Sequence, residues 1–152
     1  MTNLREIIEQ YLSEATLMQV ATSKDNQPWT CSVYFVYDSA LNLYWISTPK
    51  RRHSQEIREN SKVAGTVVLP HTPGQDVRGL QFQGIATELK GKEALPAMLL
   101  YAKRFAMPML NVEKIVAHLD PHVCYKIVPE LIVLFDEVNF PKDSRQEFRL
   151  QQ

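Results

Sequence analysis

The apolar positions at the start of the chain predict an amphipathic helix followed by a β-hairpin. Either Thr2 or Asn3 can serve as the N-cap of this helix. Residues 16–23 and 28–37 are rich in β-forming residues, and the polar turn 24–27 between them predicts a hairpin. The helical stripe consists of apolar residues three and four positions apart: Leu4, Ile7, Ile8, Tyr11 and Leu12.

The rest of the chain alternates between short strand patterns and short helical patterns. Residues 43–47 add a third strand to the hairpin, as in an antiparallel meander. The further predicted elements are a helix over 54–60, strands over 62–69 and 80–89, helices over 91–105 and 112–119, and closing strands over 123–128 and 131–138 on either side of Pro129. From residue 142 onward the sequence is polar and predicts a loose tail.

The order of these elements predicts the fold class. About six strands follow one another with turn signals between them, which favours an antiparallel barrel over a parallel α/β sheet. A chain of 152 residues is the size of one globular domain. We therefore expect a single domain over residues 1–152.

Charge and cysteine content narrow the function classes. Seventeen Lys and Arg balance seventeen Asp and Glu, so no global field attracts nucleic acid or an acidic membrane. Cys31 and Cys124 are too few and too far apart for a zinc site or a CxxC redox motif. The N-terminus does not resemble a signal peptide and no apolar run predicts a membrane span, so we expect a soluble cytoplasmic protein.

A basic turn stands at the predicted start of the second helix. Three cations and a histidine at a helix N-terminus oppose the helix dipole unless a bound anion compensates them. A phosphate group would accept hydrogen bonds from the free helical amides and from the cations. The alternative is a solvated basic loop without a ligand. The turn comprises Lys50, Arg51, Arg52, His53 and Ser54.

A second candidate lies on the strand over 80–89. Gln81 and Gln83 share one face of this strand, where two amides could hydrogen-bond a polar heterocycle. The flanking Gly79 and Gly84 permit close approach of a ligand or another backbone. The alternative is that this face is simply exposed to solvent.

Other constellations are weaker. His118, Asp120 and His122 suggest a metal site, but Pro121 breaks the helix that would align the imidazoles. The sequence lacks GxSxG, Walker A, HExxH and GxGxxG motifs, which removes those hydrolase and nucleotide-binding interpretations. Aromatic residues over 29–45 could stack single-stranded nucleic acid, but at zero net charge core or interface roles are favoured.

Taken in order, these features resemble the pyridoxamine 5'-phosphate oxidase-like family of FMN-binding split barrels, in a small bacterial branch. The order and spacing of the segments carry the resemblance, and it weakens after about residue 110. The matching segments are 33–38 (VYFVYD), 43–48 (LYWIST), the basic turn, 62–67 (KVAGTV), 78–84 (RGLQFQG) and 101–105 (YAKRF).

The resemblance implies a mainly β fold, a six-stranded antiparallel split barrel with Greek-key connections and short flanking helices. It also implies a homodimer that holds FMN in grooves between the two protomers. The cofactor-binding residues that it implies are Thr30, Cys31, Ser32 and Val33 on one ring-bordering strand, Ile46, Ser47 and Thr48 on the other, Lys50, Arg51, Arg52, His53 and Ser54 at the phosphate, and Gln81 from the partner chain, with Arg78 as its companion.

The chain departs from the better-known oxidases of this family in two places. Thr30 and the Arg51, Arg52, His53 run stand where those enzymes have Arg and Ser-Arg-Lys, although the positive charge is retained. Residues 139–152 have no counterpart of the Trp and Arg region that binds pyridoxamine phosphate. The resemblance therefore implies an FMN-dependent oxidoreductase acting on a different small molecule.

Three alternatives remain open at this stage. A non-catalytic split barrel could store or sense a flavin or haem, and a deazaflavin could replace FMN. Nucleic-acid binding through the basic turn is a third reading, and it predicts affinity that falls steeply with salt.

Overall fold

The computed structural model describes residues 3–150. In chain order, the α-helices are α1 (Leu4–Glu14), α2 (Arg52–Glu59), α3 (Leu95–Phe105) and α4 (Met109–Val116), with a 3-10 turn at Gly91–Ala94 before α3. The strands are β1 (Leu17–Lys24), β2 (Gln27–Tyr34), β3 (Val36–Tyr37), β4 (Leu43–Ser47), β5 (Lys62–Val68), β6 (Arg78–Leu89), β7 (Val123–Asp136) and β8 (Arg145–Arg149).

The strands form one antiparallel sheet that curls back on itself. Its order is β2-β1-β5-β6-β7-β4-β3, and β8 pairs with β7 off this path. The two end strands, β2 and β3, are consecutive in the chain and are separated only by the buried Phe35. The prediction of a mainly β antiparallel split barrel is confirmed. The strand count differs because the predicted strand over 28–37 divides at Phe35, the two predicted closing strands form the single strand β7, and β8 is an additional strand.

The connection from β4 to β5 crosses an end of this barrel. Strand β4 lies between β7 and β3, whereas β5 lies between β1 and β6. Helix α2 forms this crossing, and its apolar residue Ile57 packs into the main core with Trp45 and Phe35. The crossing therefore places the basic turn at the end of the barrel.

The predicted helices are present with small shifts of their ends. Asn3 caps α1 through a hydrogen bond from the Arg5 amide (3.1 Å). Helix α2 begins at Arg52, two residues before the predicted start. Helices α3 and α4 cover a second, smaller core on the outside of β4, which contains Met98, Val112 and Cys124.

The prediction of two closing strands separated by Pro129 was wrong. Strand β7 continues through Pro129, which lies opposite Gly84 at an irregularity in the β6 register. A Cβ atom at Gly84 would lie 2.2 Å from the Val128 carbonyl oxygen and 2.8 Å from the Pro129 Cα. Because glycine has no side chain, the two backbones can approach here, and the bulge accommodates the missing proline N–H.

The prediction of a loose tail after residue 142 was also wrong. Residues 145–149 form β8, and the Phe148 side chain packs against the main core. The alternation of charged Arg145, Glu147 and Arg149 with Phe148 is the pattern of a half-buried edge strand. The segment was misassigned because a single aromatic residue in a polar sequence gives little strand signal.

A buried carboxylate ties the N-terminal helix to the end of β7. The Asp136 side chain is fully buried, and it accepts hydrogen bonds from the Tyr11 hydroxyl (2.7 Å) and the Asn139 side-chain amide (2.8 Å). The Val138 and Asn139 backbone amides also donate to it. Burial alone would raise the pKa of Asp136, but these hydrogen bonds bring it below its ordinary value.

We expect Gly84→Ala to lower the free energy of unfolding by about 1–3 kcal/mol, because the new methyl group overlaps the β7 backbone. Urea denaturation monitored by circular dichroism measures this change. Thr87→Ala, at an exposed site on the same strand, is the control and should stay within about 0.5 kcal/mol of the wild type. Equal stability of the two variants would contradict the account of the bulge.

We expect Asp136→Asn to lower the free energy of unfolding at pH 7 by about 1.5–3 kcal/mol, because the variant loses charge-assisted hydrogen bonds. The native pKa of Asp136 is depressed, so its contribution is complete above the unfolded pKa of about 3.9 and is lost as pH falls through the native pKa. Urea denaturation at pH 7 and at pH 3 measures both effects. The difference in free energy of unfolding between wild type and Asp136→Asn should be smaller at pH 3 than at pH 7. The control Asp76→Asn, in an exposed loop, should be as stable as the wild type at both pH values.

Candidate functional site

Strands β2 and β4 face each other without pairing, and we call the gap between them the unpaired cleft. Strand β2 pairs only with β1 in the described chain, and β4 pairs with β3 through Leu43 and Tyr44 alone. Cα atoms of β2 and β4 approach within 8 Å, but these two strands form no ladder. Two strand edges that face each other without pairing present free backbone donors and acceptors, which water or a ligand must satisfy.

The N-terminus of α2 lies directly after β4 at the end of this cleft. Arg51 occupies the N-cap position and its side chain makes no capping hydrogen bond. The Gln55 amide donates to the Arg51 carbonyl (3.0 Å), so the amides of Arg52, His53 and Ser54 precede the first hydrogen bond of the helix. Three free amides and the positive end of the helix dipole favour a bound anion.

Two cations of the basic turn are free to meet such an anion. Lys50 and Arg51 are exposed, and neither forms a salt bridge with a carboxylate among residues 3–150. The backbone behind them is fixed, because the Lys50 carbonyl accepts from the Gln55 side chain (2.9 Å) and the Pro49 carbonyl accepts from Arg58 (2.9 Å). The turn therefore presents exposed cationic side chains on a backbone that hydrogen bonds hold in place.

His53 links the helix to the strand and does not add charge. Its Nε2 atom lies 2.8 Å from the Ser47 hydroxyl oxygen, and the ring is buried. Burial, and then the nearby Arg51, lower the pKa of His53, so the imidazole is neutral at pH 7. By sequence His53 belongs to the basic turn, but in the structure it bridges α2 and β4 and carries no charge.

Arg52 is held by two neighbours, Glu56 and Trp29. Its Nε atom donates to the Glu56 carboxylate at 2.7 Å, and its guanidinium group lies 4.2 Å from the centre of the Trp29 ring. Glu56 is buried and accepts a second hydrogen bond from the Thr22 hydroxyl. The hydrogen bonds from Thr22 and then from Arg52 lower the pKa of Glu56, so its carboxylate is ionised.

Ser54 offers only its backbone to a ligand at this turn. Its side chain lies on the buried face of α2, and its hydroxyl oxygen has no hydrogen-bond partner within the described chain. Of the predicted phosphate contacts, the structure thus brings Lys50, Arg51 and Arg52 together with the free amides of the first helical turn.

The predicted ring-bordering residues of β2 alternate in direction. Cys31 and Val33 are half-buried and pack against the main core, whereas Thr30 and Ser32 are exposed on the outer face of the sheet. Burial raises the pKa of the Cys31 thiol, so it is protonated at pH 7. A ligand in the cleft would contact the backbone edge of β2. A ligand on the outer face would contact the hydroxyl groups of Thr30 and Ser32.

The predicted residues of β4 line the other side of the cleft. Ile46 packs against the second core, Ser47 is bonded to His53, and the Thr48 carbonyl accepts from the Arg51 amide (3.2 Å). The end of this strand and the basic turn are therefore one connected unit.

Gln81 lies on the outer face, far from the cleft within the same chain. Register pairs place Ser32, Gln19, Thr66 and Gln81 side by side on four successive strands. Three strand spacings separate Ser32 from Gln81, which is roughly 14 Å. Within one chain, a ligand that contacts both Ser32 and Gln81 has to span roughly 14 Å of the outer face.

Arg78 and Gln81 are three positions apart on β6, so their side chains lie on opposite faces of the sheet. Its guanidinium group lies 5.6 Å from the centre of the Tyr11 ring and 4.0 Å from the Glu14 carboxylate, so it faces α1. The structure does not bring Arg78 and Gln81 to one site in the same chain.

The outer face of β1, β2, β5 and β6 carries a block without charge, which we call the uncharged face. Solvent-exposed protein surfaces usually have about a quarter to a third of charged residues. Another molecule can cover a block without charge and bury no unpaired charge on it. Its residues are Gln19, Ala21, Thr30, Ser32, Ala64, Thr66, Gln81 and Gln83.

A groove of about 430 Å³ on this side contains a cation that the sequence did not suggest. Arg145 of β8 lines the groove with Gln81, Gln83 and Thr66. Sequence analysis missed Arg145 because it placed this segment in a loose tail. The sequence feature that indicates a strand here is the alternation of charged residues around Phe148.

The sequence pattern of the pyridoxamine 5'-phosphate oxidase family matches residues 4–134. This match covers all seven strands of the curled sheet except the last residues of β7. The chain belongs to this family. The resemblance inferred from segment order is thereby confirmed.

Named relatives and solved structures agree with this placement. A UPF0306 protein from Klebsiella pneumoniae is 33% identical over 99 residues, which cover 64% of this chain and 67% of that protein. HutZ, the heme storage protein of Vibrio cholerae, has a TM-score of 0.66 at 17% identity over 85% of this chain and 92% of its own. An FAD-binding protein from Mesorhizobium loti has a TM-score of 0.60 at 21% identity over 86% and 92% of the two chains.

Two further findings concern membrane-spanning helices and the candidate metal site. None of the helices within residues 3–150 is long and apolar enough to cross a membrane. In the predicted His118 to His122 segment, the His122 Nδ1 atom lies 2.6 Å from the Asp120 carboxylate, and this pair is on the surface.

Proposed function

We propose that the protein binds FMN, with the phosphate at the N-terminus of α2 and the ring system in the cleft between β2 and β4. The observation that carries this proposal is the conjunction of three free helical amides with Lys50, Arg51 and Arg52 at the end of an unpaired cleft. A phosphate monoester matches this set of donors in charge and in number.

The cleft also suits the rest of the cofactor. The isoalloxazine ring carries hydrogen-bonding groups along one edge, and the free backbone groups of Thr30–Val33 and Ile46–Thr48 are complementary to them. Cys31 and Val33 supply apolar surface next to these groups. When bound, FMN supplies hydride or electron transfer, and the protein supplies orientation and electrostatics.

We propose a homodimer in which the uncharged face of each copy covers the other. The separation of Ser32 and Gln81 supports this arrangement, because a second copy can place its Gln81 closer to a ligand at β2 than the same chain does. The neutral composition of the face supports it independently, because burial of charged residues would be costly there. Arg78 has no part in this proposal, since its contacts are with α1.

The activity that we propose is flavin-dependent oxidation or reduction of a small molecule. Both cysteines are free thiols, which supports action in the reducing cytoplasm. The second candidate is a module that binds a flavin or haem without turnover, and the heme storage function of the similar Vibrio cholerae protein favours it. The two candidates differ in whether bound cofactor is reduced and reoxidised in the steady state.

We expect the purified protein to bind FMN more tightly than riboflavin, because riboflavin lacks the phosphate. The Lys50→Ala/Arg52→Ala variant should lose about tenfold or more of its FMN affinity, since charge-assisted hydrogen bonds are lost. Its riboflavin affinity should be unchanged. Quenching of flavin fluorescence during titration measures both affinities.

The control for this experiment is Lys103→Ala/Arg149→Ala, which removes a lysine and an arginine outside the basic turn. It should bind FMN as the wild type does. Thermal unfolding of each variant separates a binding defect from a loss of fold. Unchanged FMN affinity in Lys50→Ala/Arg52→Ala would place the phosphate elsewhere.

We expect Ala64→Glu to dissociate the dimer and to abolish FMN binding, because it places a charge at the centre of the uncharged face. Analytical ultracentrifugation measures the oligomeric state. Thr87→Glu adds the same charge at an exposed position of β6 outside the uncharged face, and it should remain dimeric. A monomeric wild type that binds FMN tightly would contradict the shared site.

We expect the FMN-loaded protein to oxidise NADH or NADPH in the steady state if it is an enzyme. Absorbance at the nicotinamide band follows the reaction, and free FMN at the same concentration is the control. Tight FMN binding without turnover by either donor would favour the binding module. Tight haem binding with no flavin affinity would favour the haem form of that module.

A further inference from the structure

We infer that Glu56 is a positioning residue for the phosphate site, which acts by fixing the orientation of the Arg52 guanidinium group. This inference rests on the proposed function, since it assigns Arg52 to the phosphate of FMN. Glu56 does not itself contact the ligand in this proposal.

The contacts of Glu56 occupy both of its carboxylate oxygens. One oxygen accepts from the Arg52 Nε atom at 2.7 Å, and the other accepts from the Thr22 hydroxyl. The Glu56 side chain is 5% exposed, so its position is fixed by packing as well as by hydrogen bonds. Arg52 is therefore joined to β1 through a rigid intermediate.

The remaining donors of Arg52 are free. Within the described chain, the hydrogen bonds of its guanidinium group involve Nε only, and one face of the group lies over Trp29 at 4.2 Å. The two terminal nitrogens keep their N–H groups for another acceptor. The side chain is 45% exposed, so these groups are accessible from solvent.

This arrangement separates Arg52 from the other cations of the turn. Lys50 and Arg51 have no comparable partner among residues 3–150, and they must be ordered when an anion binds. Ordering a long flexible side chain opposes binding through lost conformational entropy. An arginine already held by a carboxylate and an aromatic ring avoids much of this loss.

The sign of the mutational effect distinguishes positioning from simple electrostatics. A buried carboxylate near a phosphate repels it, so removing its charge should tighten FMN binding if charge alone matters. If Glu56 orients Arg52, the same change should weaken FMN binding, because Arg52 becomes mobile. The two accounts predict opposite directions for one variant.

The test is a double-mutant cycle with Glu56→Gln, Arg52→Ala and the combined variant, each titrated with FMN by fluorescence quenching. We expect Glu56→Gln to weaken FMN binding about two- to tenfold, as for release of one ordered side chain. In the Arg52→Ala background the same substitution should cause no weakening, because its target is absent.

Glu59→Gln is the matched control, because it also removes one carboxylate from α2. Glu59 pairs with Lys24 at 2.7 Å, is exposed, and lies at the other end of α2 from Arg52, with which it forms no salt bridge in the described chain. It should leave FMN affinity within about twofold of the wild type, as expected for an exposed ion pair. An equal effect of both substitutions would mean that helix charge, and not positioning, is responsible.

A second variant keeps the test decisive if Glu56→Gln does not fold. Trp29 is 45% exposed, so Trp29→Leu should preserve the fold while removing the aromatic side of the clamp. It should weaken FMN binding in the wild-type background and have no effect with Arg52→Ala. Thermal unfolding establishes which variants are folded.

Three results would overturn the inference: FMN affinity that is unchanged or tighter in Glu56→Gln, weakening that persists in the Arg52→Ala background, or an equal effect of Glu59→Gln. Each of these results leaves the proposed function intact, because the wild type still binds FMN. Failure of the wild-type protein to bind FMN at all would instead refute the proposed function, and it is measured before any variant.

Discussion

The structure depends on helix α2 acting as a strut across the open end of the barrel. His53 holds it to Ser47 of β4, and Glu56 holds it to Thr22 of β1. The first contact holds β4, which borders the unpaired cleft, and the second holds β1, which pairs with β2 on the other side of the cleft. Phe35 links β2 to β3 at the opposite end. The width of the cleft is therefore set by one short helix, and the same helix presents its free amides there.

Unfavourable charge interactions are concentrated at the N-terminus of α2. Lys50, Arg51 and Arg52 stand at the positive end of a helix, where cations are disfavoured. The fold compensates for this positive charge only in part, through the buried Glu56 carboxylate and the neutral state of His53. In the proposed function, the uncompensated charge binds a phosphate group and the uncharged face binds a second copy of the chain.

Much of the fold could be predicted from sequence because its signals are local. The spacing of Leu4 to Leu12, the turns at 24–27 and the alternation over 80–89 each determine one element. The continuity of β7 could not be predicted, because Pro129 is tolerated only opposite Gly84, a partner distant in sequence. Likewise the basic turn was visible, but Thr22, Trp29 and Glu56 meet there only after folding.

Closure of the barrel makes the folding of this chain a non-local process. Leu43 of β4 pairs with Ile127 of β7, and the Tyr11 to Asp136 hydrogen bond joins groups 125 residues apart in sequence. Few of these pairings stabilise the chain until distant segments have met. The loop-closure entropy that opposes folding is therefore large, and the contact order is high. The chain should accordingly reach its native state slowly for its size, and until β7 arrives the exposed edge of β4 needs protection from aggregation.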